Sequence, residues 1–162
     1  MKLEEGGAVD LNQPAETSDE YLKLDNQLCF PLYATSRIIT RMYQPLLEKL
    51  GLTYPQYIVM LVLWESDSLS IKEIGKRVQL NTNTLTPLLK RMEELKYISR
   101  RRSTEDERIV LVNLTREGQD MKLKALEIPS QLIASMNYPA DKAIQLKRLL
   151  DDFMGSLNKT DL

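Results

Sequence analysis

The stretch that decides the fold is LTPLLKRMEELKYISRRRSTEDERIVLVNLTREG, residues 85–118. Its first part carries apolar side chains at the spacing of one helix face, namely Leu85, Leu88, Leu89, Met92 and Leu95. This spacing predicts an amphipathic helix that runs to about Lys96. The β-branched and basic segments 97–102 and 108–114, on either side of the charged tip STEDE, predict a two-stranded ribbon.

A shorter helix is expected just before this one. Ser70 and Glu73 have the spacing of a capping box, which predicts a helix that ends near Val78. Asn81 or Thr82 is then placed to cap the longer helix. Two helices joined by a tight polar turn and followed by a basic ribbon predict a winged helix-turn-helix. The fold class is therefore mainly α with a small β-wing.

Further helices are expected on the N-terminal side of this unit. Thr53 and Pro55 predict the start of a helix whose run IVMLVLWE is apolar on nearly every face, so we expect it in the centre of the core. Before it, a helical pattern begins near Asp25. We expect Pro31 and Pro45 to break this first helix, because proline lacks the N–H that a helix interior requires.

The C-terminal side continues the helical pattern. Thr115 is a candidate N-cap for a helix through Leu126, and Pro129 should end or kink that helix. Residues 139–157 then have the apolar spacing of a last amphipathic helix. No Gly-rich or repeated segment interrupts this arrangement.

These elements suggest a tail and one domain. Residues 1–22 are acidic and predict a flexible tail, whereas residues 23–162 predict a single domain. Within it, 53–115 would form the winged helix-turn-helix. The helices of 23–50 and 116–158 carry more apolar surface than one small lobe buries, so we expect them to form a homodimer interface.

The composition excludes several classes of protein. With no histidine and one cysteine among 162 residues, the chain has neither a Cys/His metal set nor a Ser-His-Asp or Cys-His nucleophile. We therefore expect no metal, no cofactor and no enzymatic activity. No apolar run is long enough for a bilayer and the first residues lack a signal-peptide pattern, which predicts a cytoplasmic protein without a membrane partner.

The net charge of −1 conceals an asymmetry. Residues 1–20 carry a charge of −5, so the rest of the chain carries +4. The folded part is thus mildly basic, which agrees with a nucleic-acid partner.

The side chains of the helix-turn-helix and ribbon suit double-stranded DNA. Residues 90–108 contain seven basic and five acidic side chains, and cations supply the salt-dependent contacts to phosphates. Arg108 is long enough to enter a minor groove, where Asp106 would hold its guanidinium. The predicted DNA-binding residues are Thr82, Asn83, Thr84, Thr86, Arg91, Arg100, Asp106 and Arg108. A solvated charged hairpin without a ligand is the alternative from pattern alone.

Residues 85–118 resemble the recognition helix and wing of MarR-type transcriptional regulators. The family's wing signature, Asp-x-Arg followed by a strand and Leu-Thr, stands here as Asp106, Arg108 and Leu114–Thr115. The resemblance implies a DNA-binding regulator. The start of the recognition helix, Asn81–Asn83, departs from the family's more usual acidic-Ser-Gly pattern, so a different operator preference is expected.

The single cysteine, Cys29, lies in the apolar segment LDNQLCFPLY. A free cysteine in such a setting is commonly a small buried hydrophobe. A position in the first helical turn would instead favour the thiolate, because unpaired backbone N–H groups point at it. Tyr33 follows one turn later on the same face, where its hydroxyl could donate to that thiolate, and Tyr43 and Tyr54 stand near the ends of the following connection. Each tyrosine has an ordinary interpretation as a core or interface side chain.

The segments LDNQLCFPLYATSR and LGLTYPQYIVMLVLWE resemble the organic-hydroperoxide-sensing, one-cysteine (OhrR-like) branch of the MarR family, which has staphylococcal relatives. The resemblance covers about Leu24 to Leu157. It implies that Cys29 is oxidised to a sulfenic acid and that Tyr33, Tyr43 and Tyr54 surround it, two of them from the other subunit. It also implies a homodimeric repressor on a pseudo-palindromic operator.

With no second cysteine, the oxidised Cys29 would need a low-molecular-weight thiol, another subunit or overoxidation to complete the response. Pro31 stands two residues after Cys29, so either the first helix kinks there or it starts later than Asp25, and both outcomes alter how Cys29 meets the helix terminus.

Three other functions remain open at this point. A MarR-type regulator can instead respond to a small aromatic effector. A thiol peroxidase would place proline and threonine where Leu22 and Asn26 stand, so its pattern is absent. A purely structural helical dimer would bind no DNA.

Overall fold

The computed structural model describes residues 19–157. Two turns of 3₁₀ helix, Asp19–Leu22 and Leu24–Asn26, precede the first α-helix. The elements then follow in this order: α1 (Cys29–Glu48), α2 (Tyr54–Glu65), β1 (Leu69–Ser70), α3 (Ile71–Val78), α4 (Thr82–Glu94), β2 (Ile98–Arg102), β3 (Val110–Leu114), α5 (Arg116–Ala125), α6 (Ile128–Ser135) and α7 (Ala140–Leu157). The predicted mainly α fold with a small β-wing is confirmed. Most of the acidic tail lies outside the described residues.

The wing is part of a three-stranded antiparallel sheet with the strand order β1-β3-β2. Strands β2 and β3 pair from Ile98 with Leu114 to Arg102 with Val110. The sequence predicted two strands; the third, β1, is only two residues long and pairs Leu69 with Val112. Asp67 supports this edge, because its carboxylate accepts the backbone N–H of Leu114 at 2.8 Å. We call β2, β3 and their connection the wing.

The predicted central position of α2 is confirmed. Six of its twelve residues are buried: Gln56, Tyr57, Val59, Met60, Val62 and Leu63. The helix lies against α3, α4 and α5, and the fully buried side chains of these neighbours include Ile74, Leu85 and Leu89. A helix that is apolar all round is stable only when other elements cover it on several sides.

The predicted helix caps are confirmed where the sequence placed them. Ser70 accepts the backbone N–H of Glu73, whose carboxylate in turn accepts the N–H of Ser70 at 2.8 Å. Asn81 accepts the N–H of Thr84 at 2.9 Å and so begins α4. Thr115 accepts the N–H of Gly118 at 3.1 Å and begins α5. These caps fix the turn of the helix-turn-helix and the exit from the wing.

The expected break at Pro45 is wrong, whereas at Pro31 one of the two expected outcomes, a helix that starts later than Asp25, is confirmed. Helix α1 continues through Pro31 and Pro45 to Glu48. It begins at Cys29 and not near Asp25, so Pro31 falls in the first turn, where a missing N–H costs nothing. Pro45 stands inside the helix and leaves only the Arg41 carbonyl without its usual donor.

The helix predicted from Thr115 ends before Pro129, as expected, but a further helix that the sequence did not predict follows it. Helix α5 ends at Ala125 and a separate helix, α6, begins at Ile128 with Pro129 in its first turn. Proline therefore starts a helix here instead of kinking one. Helix α7 follows, and none of its side chains is buried in the protomer.

No helix among the described residues is long and apolar enough to cross a membrane.

Candidate nucleic-acid interface and thiol site

The first turn of α4 presents small polar side chains to solvent. Leu85 and Leu89 anchor the helix and are completely buried, so the opposite face projects outward. The exposed residues on it are the predicted Thr82, Asn83, Thr84 and Thr86. The Thr86 hydroxyl donates to the Thr82 carbonyl at 2.7 Å, which leaves its oxygen free to accept a further hydrogen bond. This surface has the chemistry of a recognition helix.

Arg108 is held at the wing by Asp106, as the sequence predicted. The Arg108 Nε and Nη2 donate to the two Asp106 carboxylate oxygens, both at 2.9 Å, and its backbone N–H donates at 3.0 Å. These hydrogen bonds lower the pKa of the Asp106 carboxyl and raise the pKa of the Arg108 guanidinium. The Arg108 side chain is nevertheless 90% exposed. The pair thus orients a cation outward without burying it.

The two other arginines predicted to bind DNA differ in exposure and in their ion pairs. Arg91 is exposed and pairs with Glu94 at 3.1 Å, one turn along α4. Arg100 in β2 makes a forked ion pair with Glu93 of α4, and its side chain is only 24% exposed. The structure therefore brings Arg91 and Arg108 to the surface and holds Arg100 against the protein.

Two features of this region were not predicted from the sequence. Glu93, the partner of Arg100, lies on the helix among other charged residues, and no spacing rule marks it. Gly75 allows the turn between α3 and α4, because a Cβ there would stand 2.8 Å from the Leu80 carbonyl oxygen. A glycine in the last turn of a short helix that precedes a tight turn is a usable signal for the second feature.

Cys29 is the first residue of α1 and is exposed. Within residues 19–157 its sulfur has no hydrogen-bond partner, and the expected donation from Tyr33 is not made in the protomer. Tyr33 is itself 60% exposed, and the Arg37 guanidinium carbon lies 5.6 Å from the centre of its ring. The buried-hydrophobe interpretation of Cys29 is thus wrong for the protomer.

Tyr43 and Tyr54 lie together at the other end of α1. Their ring centres are 4.9 Å apart, and the buried Tyr57 adds a third ring 5.7 Å from Tyr43. Burial, helped by the neighbouring hydroxyls of Tyr54 and Tyr57, raises the pKa of Tyr43 to about 12. Fourteen residues of helix separate Tyr43 from Cys29, a rise of about 21 Å. One protomer therefore does not bring Tyr43 to its own cysteine.

An apolar groove of about 480 Å³ lies between α1, α7 and the start of α2. Leu28, Pro31 and Leu32 line it beside Cys29, and Leu146 and Leu150 of α7 form its other wall. Thr35, Ser36 and Tyr54 add its polar atoms. Nowhere in the described part of the chain do three or more Cys, Asp or Glu side chains group in a way that could hold a metal ion.

Comparison with known proteins agrees with this arrangement. The family model described as "Transcriptional regulator SarA/Rot" matches residues 41–125. An organic hydroperoxide resistance transcriptional regulator of Bacillus subtilis is 45% identical over 144 residues, which cover 89% of this chain and 98% of that protein. This match includes both the thiol site and the winged helix.

Solved structures of AbfR are similar in fold and sequence. Reduced AbfR bound to DNA superposes with a TM-score of 0.75 at 32% identity and covers 86% of this chain and 96% of that one. A disulfide form of AbfR superposes less closely, with a TM-score of 0.56 at 34% identity over 84% and 96% of the two chains. The chain belongs to the MarR/SarA-like family of winged-helix transcriptional regulators, in its organic-hydroperoxide-sensing branch.

Proposed function

We propose that the protein is a homodimeric DNA-binding repressor that senses organic peroxide through oxidation of Cys29 and then releases its operator. The observation that carries this proposal is the exposed Cys29 at the start of a helix whose protomer also presents a complete recognition helix and wing. The similarity to the Bacillus subtilis hydroperoxide regulator supports the choice of oxidant.

The DNA-binding part of the proposal assigns α4 to a major groove and the wing to an adjacent minor groove. Thr82, Asn83, Thr84 and Thr86 would contact base edges and phosphates, and Arg91 would contact a phosphate. Arg108, aimed outward by Asp106, would enter the minor groove. Two such units in a dimer would read half-sites about one DNA turn apart on a pseudo-palindromic operator.

The dimer is proposed from the two helices that the protomer leaves uncovered. Helix α7 exposes Leu149, Phe153 and Met154, and α1 exposes Leu32 and Ile38. Contiguous apolar surface of this kind is characteristic of an interface. A partner would also supply what one protomer lacks, because Tyr43 and Tyr54 of one chain would then reach Cys29 of the other.

The chemistry proposed at Cys29 is a two-electron oxidation. The thiolate sulfur attacks one peroxide oxygen, the O–O bond breaks, and the second oxygen leaves as an alcohol after it takes up a proton. The resulting sulfenic acid condenses with a low-molecular-weight thiol to give a mixed disulfide and water. The added bulk at the start of α1 would shift the interface helices and with them the spacing of the two recognition helices.

The similarity of this conformation to that of AbfR bound to DNA supports the DNA-binding part of the proposal. Consistent with a regulator, we propose no enzymatic turnover, no cofactor and a cytoplasmic location.

A second candidate function is regulation by a small aromatic effector. The groove between α1 and α7 favours it, because its apolar walls and few hydroxyl groups suit a ring with one or two polar substituents. In this case oxidation of Cys29 would not change DNA affinity.

Fluorescence anisotropy of the protein's own promoter duplex distinguishes these functions. We expect an organic hydroperoxide to weaken binding by the wild type at least about tenfold, which corresponds to ~1.4 kcal/mol of coupling. Cys29→Ser should bind the duplex and not respond, and a thiol reductant should restore the wild type. Continued binding by the treated wild type would favour the effector function. Absence of salt-dependent binding by the untreated wild type would reject both.

A further inference from the structure

The ion pair between Glu93 and Arg100 joins the recognition helix to the wing. Glu93 lies in the last turn of α4, and Arg100 is the middle residue of β2. One Glu93 oxygen accepts the Arg100 backbone N–H at 2.9 Å. The other accepts Nε at 2.9 Å and Nη2 at 2.7 Å. Three hydrogen bonds therefore fix one carboxylate to both the backbone and the side chain of the strand.

The surroundings of this pair differ from those of the other arginine pairs in the region. Arg100 is 24% exposed and Glu93 36%, whereas Arg108 is 90% and Arg91 64% exposed. A shielded, forked pair is better ordered than an exposed one, because solvent screens it less. The hydrogen bonds from Arg100 also lower the pKa of the Glu93 carboxyl, so the pair stays charged near neutral pH.

The pair also closes the connection between helix and strand. Only Leu95, Lys96 and Tyr97 separate α4 from β2, and Lys96 has a positive φ of 63°. Strand β2 is the outer strand of the sheet, so its free N–H groups need other acceptors. Glu93 supplies one of them and holds the outer strand against the helix.

We propose that Glu93 and Arg100 are a positioning pair that sets the angle between the recognition helix and the wing, so that Arg100 affects DNA binding through Glu93 and not as a phosphate ligand. This inference rests on the proposed DNA-binding function. Nε and Nη2 of Arg100 are both bonded to Glu93, and the side chain is only 24% exposed, whereas that of Arg108 is 90% exposed, so Arg100 is much less accessible to a phosphate. The relative placement of α4 and the wing decides whether both grooves are engaged together.

The sharpest test is Glu93→Gln, because the two roles predict opposite results. If Glu93 were only a negative charge near DNA, its removal would strengthen binding. A positioning role predicts that the operator is bound about tenfold more weakly, whereas binding to an unrelated duplex changes little. The measurement is anisotropy of both duplexes over a range of salt concentration, with thermal unfolding to compare the stability of each variant.

Arg100→Gln and Arg101→Gln form a matched pair on the same strand. Arg101 is exposed, and its side chain makes no hydrogen bond or ion pair within residues 19–157. Loss of a phosphate contact lowers the slope of log affinity against log salt by about one. For Arg101→Gln we expect the salt slope to fall by no more than this amount. For Arg100→Gln we expect an unchanged salt slope together with weaker binding to the operator.

The exchanged variant, Glu93→Arg with Arg100→Glu, completes the test. We expect it to bind the operator more tightly than either single change, because the opposite charges can pair again. The inference is overturned if Glu93→Gln binds the operator as tightly as the wild type, or if Arg100→Gln lowers the salt slope by about one. Absence of operator binding by the wild type would instead reject the proposed function.

Discussion

The winged-helix region, residues 54–115, and the outer helices α1 and α7 differ in how much of their packing is made within one protomer. In the winged-helix region, hydrogen bonds join positions far apart in sequence, such as Asp67 with Leu114 at 2.8 Å and Thr115 with Lys96 at 2.5 Å. In α7 no side chain is buried, and Leu149 is 68% exposed. The first region is complete in one protomer, whereas in our proposal the outer helices are covered by a second chain.

This difference separates the two parts of the proposed function. A surface that reads DNA must keep its side chains in fixed positions, and the caps and ion pairs of the winged-helix region provide this. A sensor must change its packing when one thiol is oxidised, and an interface between protomers rearranges more readily than a closed core. Under the proposed function, the position of Cys29 at the start of α1 would place the chemical change at the proposed interface and not at the DNA surface.

The largest expected effect is on the free energy of unfolding, where α5 packs against the winged-helix region. A Cβ at Gly118 would stand 2.1 Å from the Tyr97 carbonyl oxygen, and the Gly118 carbonyl accepts the Trp64 indole N–H at 2.9 Å. Gly118→Ala must displace backbone on both sides, so we expect a loss of roughly 3–5 kcal/mol in the free energy of unfolding. Urea unfolding at fixed protein concentration measures it.

Gly155→Ala is the matched control in α7. Nothing lies within 4 Å of a Cβ at Gly155, and alanine is favoured over glycine in a helix by about 1 kcal/mol. This change should leave stability equal or slightly raised. If Gly118→Ala proved as stable as Gly155→Ala, that result would contradict the close approach of α5 to the Tyr97 backbone.

The second effect concerns the outer helices. Leu149→Asp should convert the dimer to monomer, because the twofold symmetry places the charge in the interface twice. We expect the dimer dissociation constant to rise at least about 100-fold, since an unpaired charge in an apolar contact costs several kcal/mol. Analytical ultracentrifugation over a concentration series measures this change.

Ile109→Asp in the wing is the control, since Ile109 is also an exposed apolar residue, at 41%. It should leave the dimer intact. Dissociation by both variants, or by neither, would contradict the contrast between the two regions.

The parts that the sequence predicted are those that local patterns determine. The caps at Ser70, Asn81 and Thr115 depend on side chains three residues from their partners, and all three are present in the structure. The exposed first turn of α4 followed from apolar spacing alone. Strand β1 was not predicted because it has only two residues, too few to show the alternating pattern of a strand.

The Glu93–Arg100 pair was missed for a different reason. Its register depends on how the sheet packs on the helix, which only the folded chain determines. The expected break at Pro45 was wrong, and the outcome at Pro31 and Pro129 was left open, because the effect of proline depends on its position within a helix. At Pro31 and Pro129 the prolines stand in a first turn, and that position is known only once the start of the helix is known.

The smallest expected effect is on the pH dependence of the free energy of unfolding. It distinguishes the cap of α3, which includes a carboxylate, from the cap of α5, which does not. Glu73 accepts the Ser70 hydroxyl at 2.6 Å and its backbone N–H at 2.8 Å, and these hydrogen bonds lower the pKa of Glu73 below its ordinary value of 4.5. A carboxyl with a lowered folded-state pKa adds stability above the unfolded value and loses it as the pH falls through the folded one. Because solvent screens the pair, we expect about 0.5 kcal/mol or less.

The Glu73→Gln variant keeps a capping side chain but removes the charge. Its free energy of unfolding should be slightly lower than that of the wild type at pH 7, and the two should converge as the pH falls below about 4. Thr115 provides the comparison, because its partner at the third helix position is Gly118 and no carboxylate takes part. The stability lost in Thr115→Ala, about 1 kcal/mol, should therefore be the same at both pH values. A difference between Glu73→Gln and the wild type that persisted in acid would mean that the Glu73 hydrogen bonds stabilise α3 through geometry and not through charge.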